Sequence, residues 1–451
     1  MQVLMLVIMV AVTTAVYLAS IHVAPSQFKF LPEALSALVA AFVIVAGPLD
    51  RFRLIATRYW LVFAALAVVM VCGVLANAPA PGVLIGNGRF YLRAIPLFFL
   101  PALINFSEAQ LRTQLRLLLG ISVLQLPFSI HQRYVIYSSF KVSGDDVQGT
   151  LMNSATLSIF LIGVICVAAA LALRERISKP AFLLLFVLLI IPTTINETKA
   201  TVFLLPIGLI STLFVGAPPR KRLQIGVFSA VLFLVFAALF VPIYDFFSQA
   251  NNQYPYTLES FFTNKSEVEH YLDQGTDVGS RKEAGRIDSV EVPLQAFLSD
   301  PVHLMLGVGV GNGSISTLGT GYTGEYYPLY GRYTAVSSAA AFLVEIGLIG
   351  LALVFMLDWL VFRDALFVAR HDRTLIGAVA LGWVGFTIVM VISTFYKDVK
   401  AYDSLSYLFW YFSGVIAATR MRLELQAQAA PVSQGAPTAH AAPARRMRFL
   451  Q

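Results

Sequence analysis

The chain has 451 residues and a net charge of +7, yet only 13% of its residues are charged and 58% are hydrophobic. A soluble chain would carry roughly a quarter charged residues; with a mean hydropathy of +0.75, a soluble globular domain is excluded. The basic excess falls in short clusters between apolar runs, where it orients helices in a bilayer. No nucleic-acid partner is expected, and membrane lipid is.

Taken in order, apolar runs of about twenty residues recur along the sequence, the length that crosses a hydrocarbon core of about 30 Å. They predict an all-α polytopic membrane protein with about twelve transmembrane helices, centred near Met9, Ala40, Ala67, Phe98, Leu124, Val164, Leu188, Ile207, Phe233, Leu351, Val384 and Tyr411. The first run, residues 3–20, has no basic residue before it and no cleavage site, so a first transmembrane helix is expected rather than a signal peptide. Pro96 and Pro101 predict a kinked or partly inserted span around Phe98. Cys72 and Cys166 both lie inside apolar runs, so neither a disulfide framework nor a metal site is indicated.

Five basic clusters fall at every second loop: Arg51, Arg53 and Arg58; Arg112 and Arg116; Arg174, Arg176 and Lys179; Arg220, Lys221 and Arg222; Arg363, Arg370 and Arg373. The positive-inside rule makes those loops cytoplasmic, together with both termini. The other face, the periplasm of a bacterial inner membrane, receives Arg89 and Arg93, residues 140–150, residues 196–199, the long segment 244–335 and residues 396–403. The chain thus divides into transmembrane helices 1–9 (residues 1–243), a large polar loop (244–335), helices 10–12 (336–424) and a tail (425–451). The tail, rich in Ala, Pro and Gln and ending with Arg445, Arg446 and Arg448, is expected to be a disordered cytoplasmic extension. No internal repeat of an inverted-repeat transporter is evident.

The candidate chemistry lies on that outer face. Lys199, in Asn196-Glu197-Thr198-Lys199, sits at the outer end of two apolar runs; a charge near bilayer depth tends to serve a partner or substrate, the alternative being snorkelling or an ion pair with Glu197. Arg281, Lys282 and Arg286 stand close together, and if the stretch is helical, positions 282 and 286 share a face. Arginine forks bind diphosphate oxygens bidentately without a metal; the alternative is a solvated charged helix salted by Glu283 and Asp288. The glycines of 307–313 lack both a βαβ context and a P-loop ending, so a tight turn returning the loop to the membrane is expected rather than a phosphate cradle. Tyrosines at 322, 326, 327, 330 and 333 suit an interfacial aromatic belt, with sugar stacking as the alternative. His131 and His303 are isolated and read as structural, and no metal-ligand spacing occurs.

Three stretches together resemble the bacterial O-antigen ligase and O-antigen polymerase superfamily. Gln132, followed by Gly149-Thr150-Leu151-Met152-Asn153, looks like that family's glutamine and GT-x-x-N motif. Gly285-Arg286-Ile287-Asp288 through Leu306-Gly307-Val308-Gly309 looks like its GR…hP…GxG block, and residues 342–350 look like its L-x-E-x-GLIG block. The resemblance covers the second half of the chain and implies a glycosyltransferase-C-like scaffold with a catalytic periplasmic loop. It implies a metal-independent, cofactor-free enzyme whose donor is an undecaprenyl-diphosphate-linked glycan and whose acceptor is a glycan or glycolipid, with a chain-length regulator protein as a further partner. By the same resemblance Arg286 holds the diphosphate and Lys199 stands where relatives have S-R; Arg281, Arg89 and Arg93 complete the expected diphosphate-binding set. Glu283 and Asp288 are the nearest candidates for the base that the acceptor hydroxyl needs. Ligases carry a histidine about nine residues before the glutamate matched by Glu345; this chain reads Ala335-Val336-Ser337-Ser338 there. That departure favours repeat-unit polymerisation over ligation to lipid A-core or protein; a transporter or flippase without bond-forming chemistry is the rival class.

Overall fold

The computed structural model describes residues 1–46, 51–137, 146–249, 258, 263–269, 272–273, 277–278, 281–282, 284–316 and 318–429, with Arg281 and Lys282 described in backbone alone. Ten helices come first: α1 (Gln2–Ser20), α2 (Leu31–Ala46), α3 (Thr57–Asn77), α4 (Pro81–Leu92), α5 (Ile95–Leu103), α6 (Glu108–His131), α7 (Ser154–Leu173), α8 (Lys179–Ile195), α9 (Thr201–Gly216) and α10 (Arg222–Gln249). An outer segment follows, holding α11 (Lys265–Glu269), the ribbon β1 (Asp277–Val278) and β2 (Arg281–Lys282), α12 (Asp288–Phe297), α13 (Pro301–Leu306) and α14 (Tyr327–Thr334). The chain then returns through α15 (Ser338–His371), α16 (Leu375–Tyr396) and α17 (Asp403–Ala429).

A helix covers each of the twelve expected centres. Eight are long and apolar enough to cross a membrane, α4 and α5 form a pair bent by 44°, and α8 and α9 are shorter apolar helices. The protein is a polytopic α-helical membrane protein. The bend falls where the prolines predict it: Pro96 occupies the first turn of α5, where its missing N–H breaks no helical bond.

The centre of the bundle is α7 against α9 and α16. Every residue from Ser154 to Leu171 is buried, as expected of a helix that is apolar on all sides. Glycines set the spacing: a Cβ on Gly163 would stand 2.5 Å from the Phe386 ring, one on Gly382 2.5 Å from Val167 Cα, and one on Gly385 2.3 Å from the Gly208 carbonyl. Such close backbone approach is how helices associate where lipid is as apolar as the side chains. At the rim, α2, α3 and α10 turn side chains such as Ile44, Leu75 and Leu223 outward, a surface suited to hydrocarbon.

The two ends differ. At one, Arg58 and Arg420 both reach Asp364, at 2.6 and 2.7 Å, while Arg174 and Arg176 donate to the carbonyls of Ala369 and Arg373. At the other stand the outer segment and the turn between α16 and α17. There α15 is broken: Gly347 has φ +67 and ψ −173, and a Cβ on it would stand 2.3 Å from the Met305 backbone, so α13 crosses against the break.

Candidate active site at the loop-bearing end

The glycine stretch 307–313 forms the seat of the outer segment. Gly307, Gly309 and Gly311 have φ of +70, +93 and +79, a region that side-chain-bearing residues rarely adopt. The Val308 N–H donates to the Val344 carbonyl at 2.8 Å. Asn77 donates to the Gly307 carbonyl at 3.1 Å, and Asn87 to that of Gly311 at 3.0 Å. The whole stretch is buried, and a Cβ on Gly307 would lie 2.5 Å from the backbone of Glu345 and Ile346. These glycines dock the loop onto α15, the turn role expected of them.

Arg286 is delivered to the start of α15 by a tight crossing. Gly285 is buried, a Cβ there would stand 2.2 Å from the Leu272 carbonyl, and the Ile287 N–H donates to that carbonyl at 2.8 Å. The half-buried Arg286 side chain then donates through Nη1 to the Val336 carbonyl at 3.2 Å, with its guanidinium carbon 5.2 Å from the Tyr396 ring centroid. Ser289, one turn on, faces the Ser337 hydroxyl at 3.4 Å, and Ser337 caps α15 through the Ala340 N–H. Arg286 therefore lies against Val336, next to the Ser337 that caps α15.

The turn 396–403 joins the same cluster. Ser338 donates to Asp398 at 2.8 Å and accepts from the Lys400 N–H at 3.1 Å. The Lys400 ammonium lies 3.6 Å from Asp398 and 5.5 Å from the centroid of the Tyr91 ring. The Tyr91 hydroxyl donates to Glu345 at 2.7 Å. Tyr396, Lys400 and Tyr91, which the sequence reading did not single out, join this cluster beside the Glu345 of the third matched stretch; the available signal was the interleaving of aromatic and charged residues in Tyr396-Lys397-Asp398-Val399-Lys400.

The other candidates are placed as follows. Arg93, 7% exposed, meets Glu33 at 3.0 Å and Asp403 at 2.7 Å, and donates to the carbonyls of Lys400 and Ala401 at 3.1 and 2.7 Å. Arg89 pairs with Glu33 as well. Both were expected as diphosphate contacts; here Arg93 ties the 396–403 turn to α2, and Arg89 shares the same carboxylate, since a buried cation needs carboxylate partners. Lys199 is half-buried just before α9; the α9–α16 register, with Gly216 beside Leu381 and Gly208 beside Gly385, puts it at the Tyr396 end. Its neighbour Glu197 pairs with Arg133 at 2.8 Å. Gln132 accepts from the N–H groups of Gln148 and Gly149 and donates to the Gly149 carbonyl, so the two parts of the first resembling motif touch.

Arg281 and Lys282 are not helical. Their backbone pairs with Asp277 and Val278 in a two-residue antiparallel ribbon, because the chain between them and α12 must pass Leu272 through Gly285, which a continuous helix could not do. The shared helical face of positions 282 and 286 does not form. Glu283 lies outside the described residues. Asp288 sits in the first turn of α12; partial burial raises its carboxyl above the ordinary value, Asp273 and Glu291 add to this, and Arg332 opposes it.

The tyrosines form less of a belt than expected. Tyr326 and Tyr330 pack with Phe297 and His303, and Tyr333 is buried, so they line the inside of the outer segment, where rings cover the short helices α12 and α13. His303 bridges Asp300 at 2.7 Å and Asn77 at 2.8 Å, a structural tie between loop and α3. Asp358, buried within α15, is an intramembrane carboxylate that no sequence motif marks. Among the described residues no group of three or more His, Cys, Asp or Glu could hold a metal ion.

The fold and site define a polytopic helical membrane protein with a charged, aromatic-lined cluster at one end. No known family and no curated protein matches the chain.

Proposed function

We propose that this chain is a metal-independent membrane glycosyltransferase that moves a glycan from undecaprenyl diphosphate to an acceptor sugar hydroxyl, extending a polysaccharide by repeat units. The observation that carries the reading is the setting of Arg286, half-buried between the Val336 carbonyl and the Tyr396 ring, on the α15 cap that also holds the Lys400 turn. Guanidinium and ammonium groups at a membrane face suit a lipid-linked diphosphate. In the reaction the acceptor oxygen attacks the anomeric carbon, the bond from that carbon to phosphate breaks, and its electron pair leaves on the diphosphate. Cations placed where that charge develops lower the barrier.

The reading takes the eight long helices, the bent α4–α5 pair, α8, α9 and α17 as twelve spans of a glycosyltransferase-C-like bundle. The basic clusters would face the cytoplasm with both termini, and the outer segment the periplasm of an inner membrane. Lys199 and Arg281 remain proposed diphosphate contacts in this reading, while Arg89 and Arg93 become supports of the site.

Replacing Arg286 by alanine abolishes polymer in cells that still insert the protein; unchanged polymer would refute the assignment. Ligation to lipid A-core or protein is disfavoured by Val336 and Ser337 standing where ligases have histidine. Transport has one observation in its favour, the buried Asp358 within α15, since intramembrane carboxylates often mark ion pathways. Polymer made by an Asp358→Asn variant at the normal rate separates that carboxylate from transfer.

A further inference from the structure

Resting on the transferase reading above, we infer that Tyr91 and Glu345 form the proton relay that takes the acceptor hydroxyl's proton. Glu345 is 1% exposed. One carboxylate oxygen accepts the Tyr91 hydroxyl at 2.7 Å, and the other has no hydrogen-bond partner among the described residues. Asp364 makes the contrast: equally buried, it holds Arg58, Arg420 and the Tyr59 hydroxyl, all within 3.1 Å. Asp364 is a clamp of the kind that buried carboxylates usually form. Glu345 instead meets a phenol and keeps an oxygen unpaired, an arrangement that is unfavourable for folding.

The position suits the chemistry. Tyr91 is half-buried as a residue, and its hydroxyl lies on the buried carboxylate while its ring borders the Lys400 turn. Seven residues of α15 separate Ser338 from Glu345, which places the relay about 10 Å along the helix from the Arg286 cap. The Lys400 ammonium, paired with Asp398 at 3.6 Å, stands 5.5 Å from the Tyr91 ring centroid and so borders the relay.

In the step, the acceptor proton passes to the Tyr91 oxygen while Tyr91's own proton passes to Glu345. The acceptor oxygen bonds the anomeric carbon, and the departing electron pair stays on the diphosphate. Glu345 then returns its proton to water through Tyr91. Tyr91 is the catalytic residue, and Glu345 acts through it.

The test uses purified protein in nanodiscs with undecaprenyl-diphosphate-linked repeat units, following kcat and KM across pH for the wild type, Tyr91→Phe, Glu345→Gln, Glu345→Asp and Arg286→Ala. Tyr91→Phe and Glu345→Gln are expected to lower kcat about 10²- to 10⁴-fold, the usual worth of acid–base catalysis, with KM unchanged. The residual rate of Glu345→Gln should climb with pH as hydroxide replaces the lost base, and Glu345→Asp should recover part of the loss. Wild-type kcat in Tyr91→Phe, or a loss confined to KM, overturns the relay even where Glu345→Gln fails to fold. If Arg286→Ala abolishes transfer while both relay variants turn over normally, the transferase reading stands and the relay falls. A wild-type protein that makes no product removes both.

Discussion

At the same end of the bundle, residues 307–313 and residues 396–403 have opposite characters. The glycine stretch has the composition of an anion cradle, but it is buried, with the Val308 N–H given to Val344 and the Gly307 and Gly311 carbonyls accepting from Asn77 and Asn87. The 396–403 turn has the composition of an ordinary connection, yet it brings Tyr396 and Lys400 to Arg286 and Tyr91. Where backbone enters a low-dielectric region every polar group must find an internal partner, so glycine-rich backbone that is well packed has little left for a ligand. A turn whose backbone is held from outside, here by Arg93 and Ser338, can instead direct its side chains to the site.

The largest effect should come from the helix break that α13 packs against. Gly347→Ala places a Cβ in a φ region that costs about 1–3 kcal/mol and onto the Met305 backbone besides, so a loss of about 4 kcal/mol is expected with overpacking included. Thermal unfolding in detergent and protease cleavage of the outer segment would measure it, and a variant as stable as the wild type would mean that loop and helix break are not docked. Next is the anchor of the turn. Arg93→Ala removes the cation that meets Asp403 at 2.7 Å, leaving Glu33 to Arg89 alone, and should lose about 3 kcal/mol, as broken buried pairs do. Transfer should fall in the surviving folded fraction too; full activity there would separate the turn from the site.

The smallest effect tests the outer carboxylate. Folding raises the Asp288 carboxyl, so the folded state holds that proton more tightly, and stability falls as pH rises from the ordinary carboxylate range through the raised value. Asp288→Asn should therefore stabilise the outer segment at neutral pH by roughly 0.3 kcal/mol after solvent screening, with no difference in acid, while transfer continues. Loss of transfer would return Asp288 to the role of base and sharpen the case against the relay.

Much of the fold was legible because bilayer thickness imposes a length on every apolar run: each expected centre lies in a helix, and Pro96 marks the bend. Basic residues from alternate loops likewise gather at one end, as Arg58, Arg174 and Arg176 do. What sequence could not convey is pairing at a distance. Tyr91 and Glu345 are 254 residues apart, and neither carries a local pattern that points to the other. Arg89 and Arg93 have the local setting of ligand contacts because their partner Glu33 lies at the start of a different apolar run. Arg281 and Lys282 have helical charge spacing, which cannot register that Gly285 must slip past Leu272.

The most direct test of the central claim gives purified protein undecaprenyl-diphosphate-linked repeat units and no other acceptor, then resolves the products by size. A ladder of longer lipid-linked glycans from the wild type, absent from Arg286→Ala protein of equal stability, is the result predicted. A ladder that survives in Arg286→Ala, or no lengthening by the wild type, would contradict it.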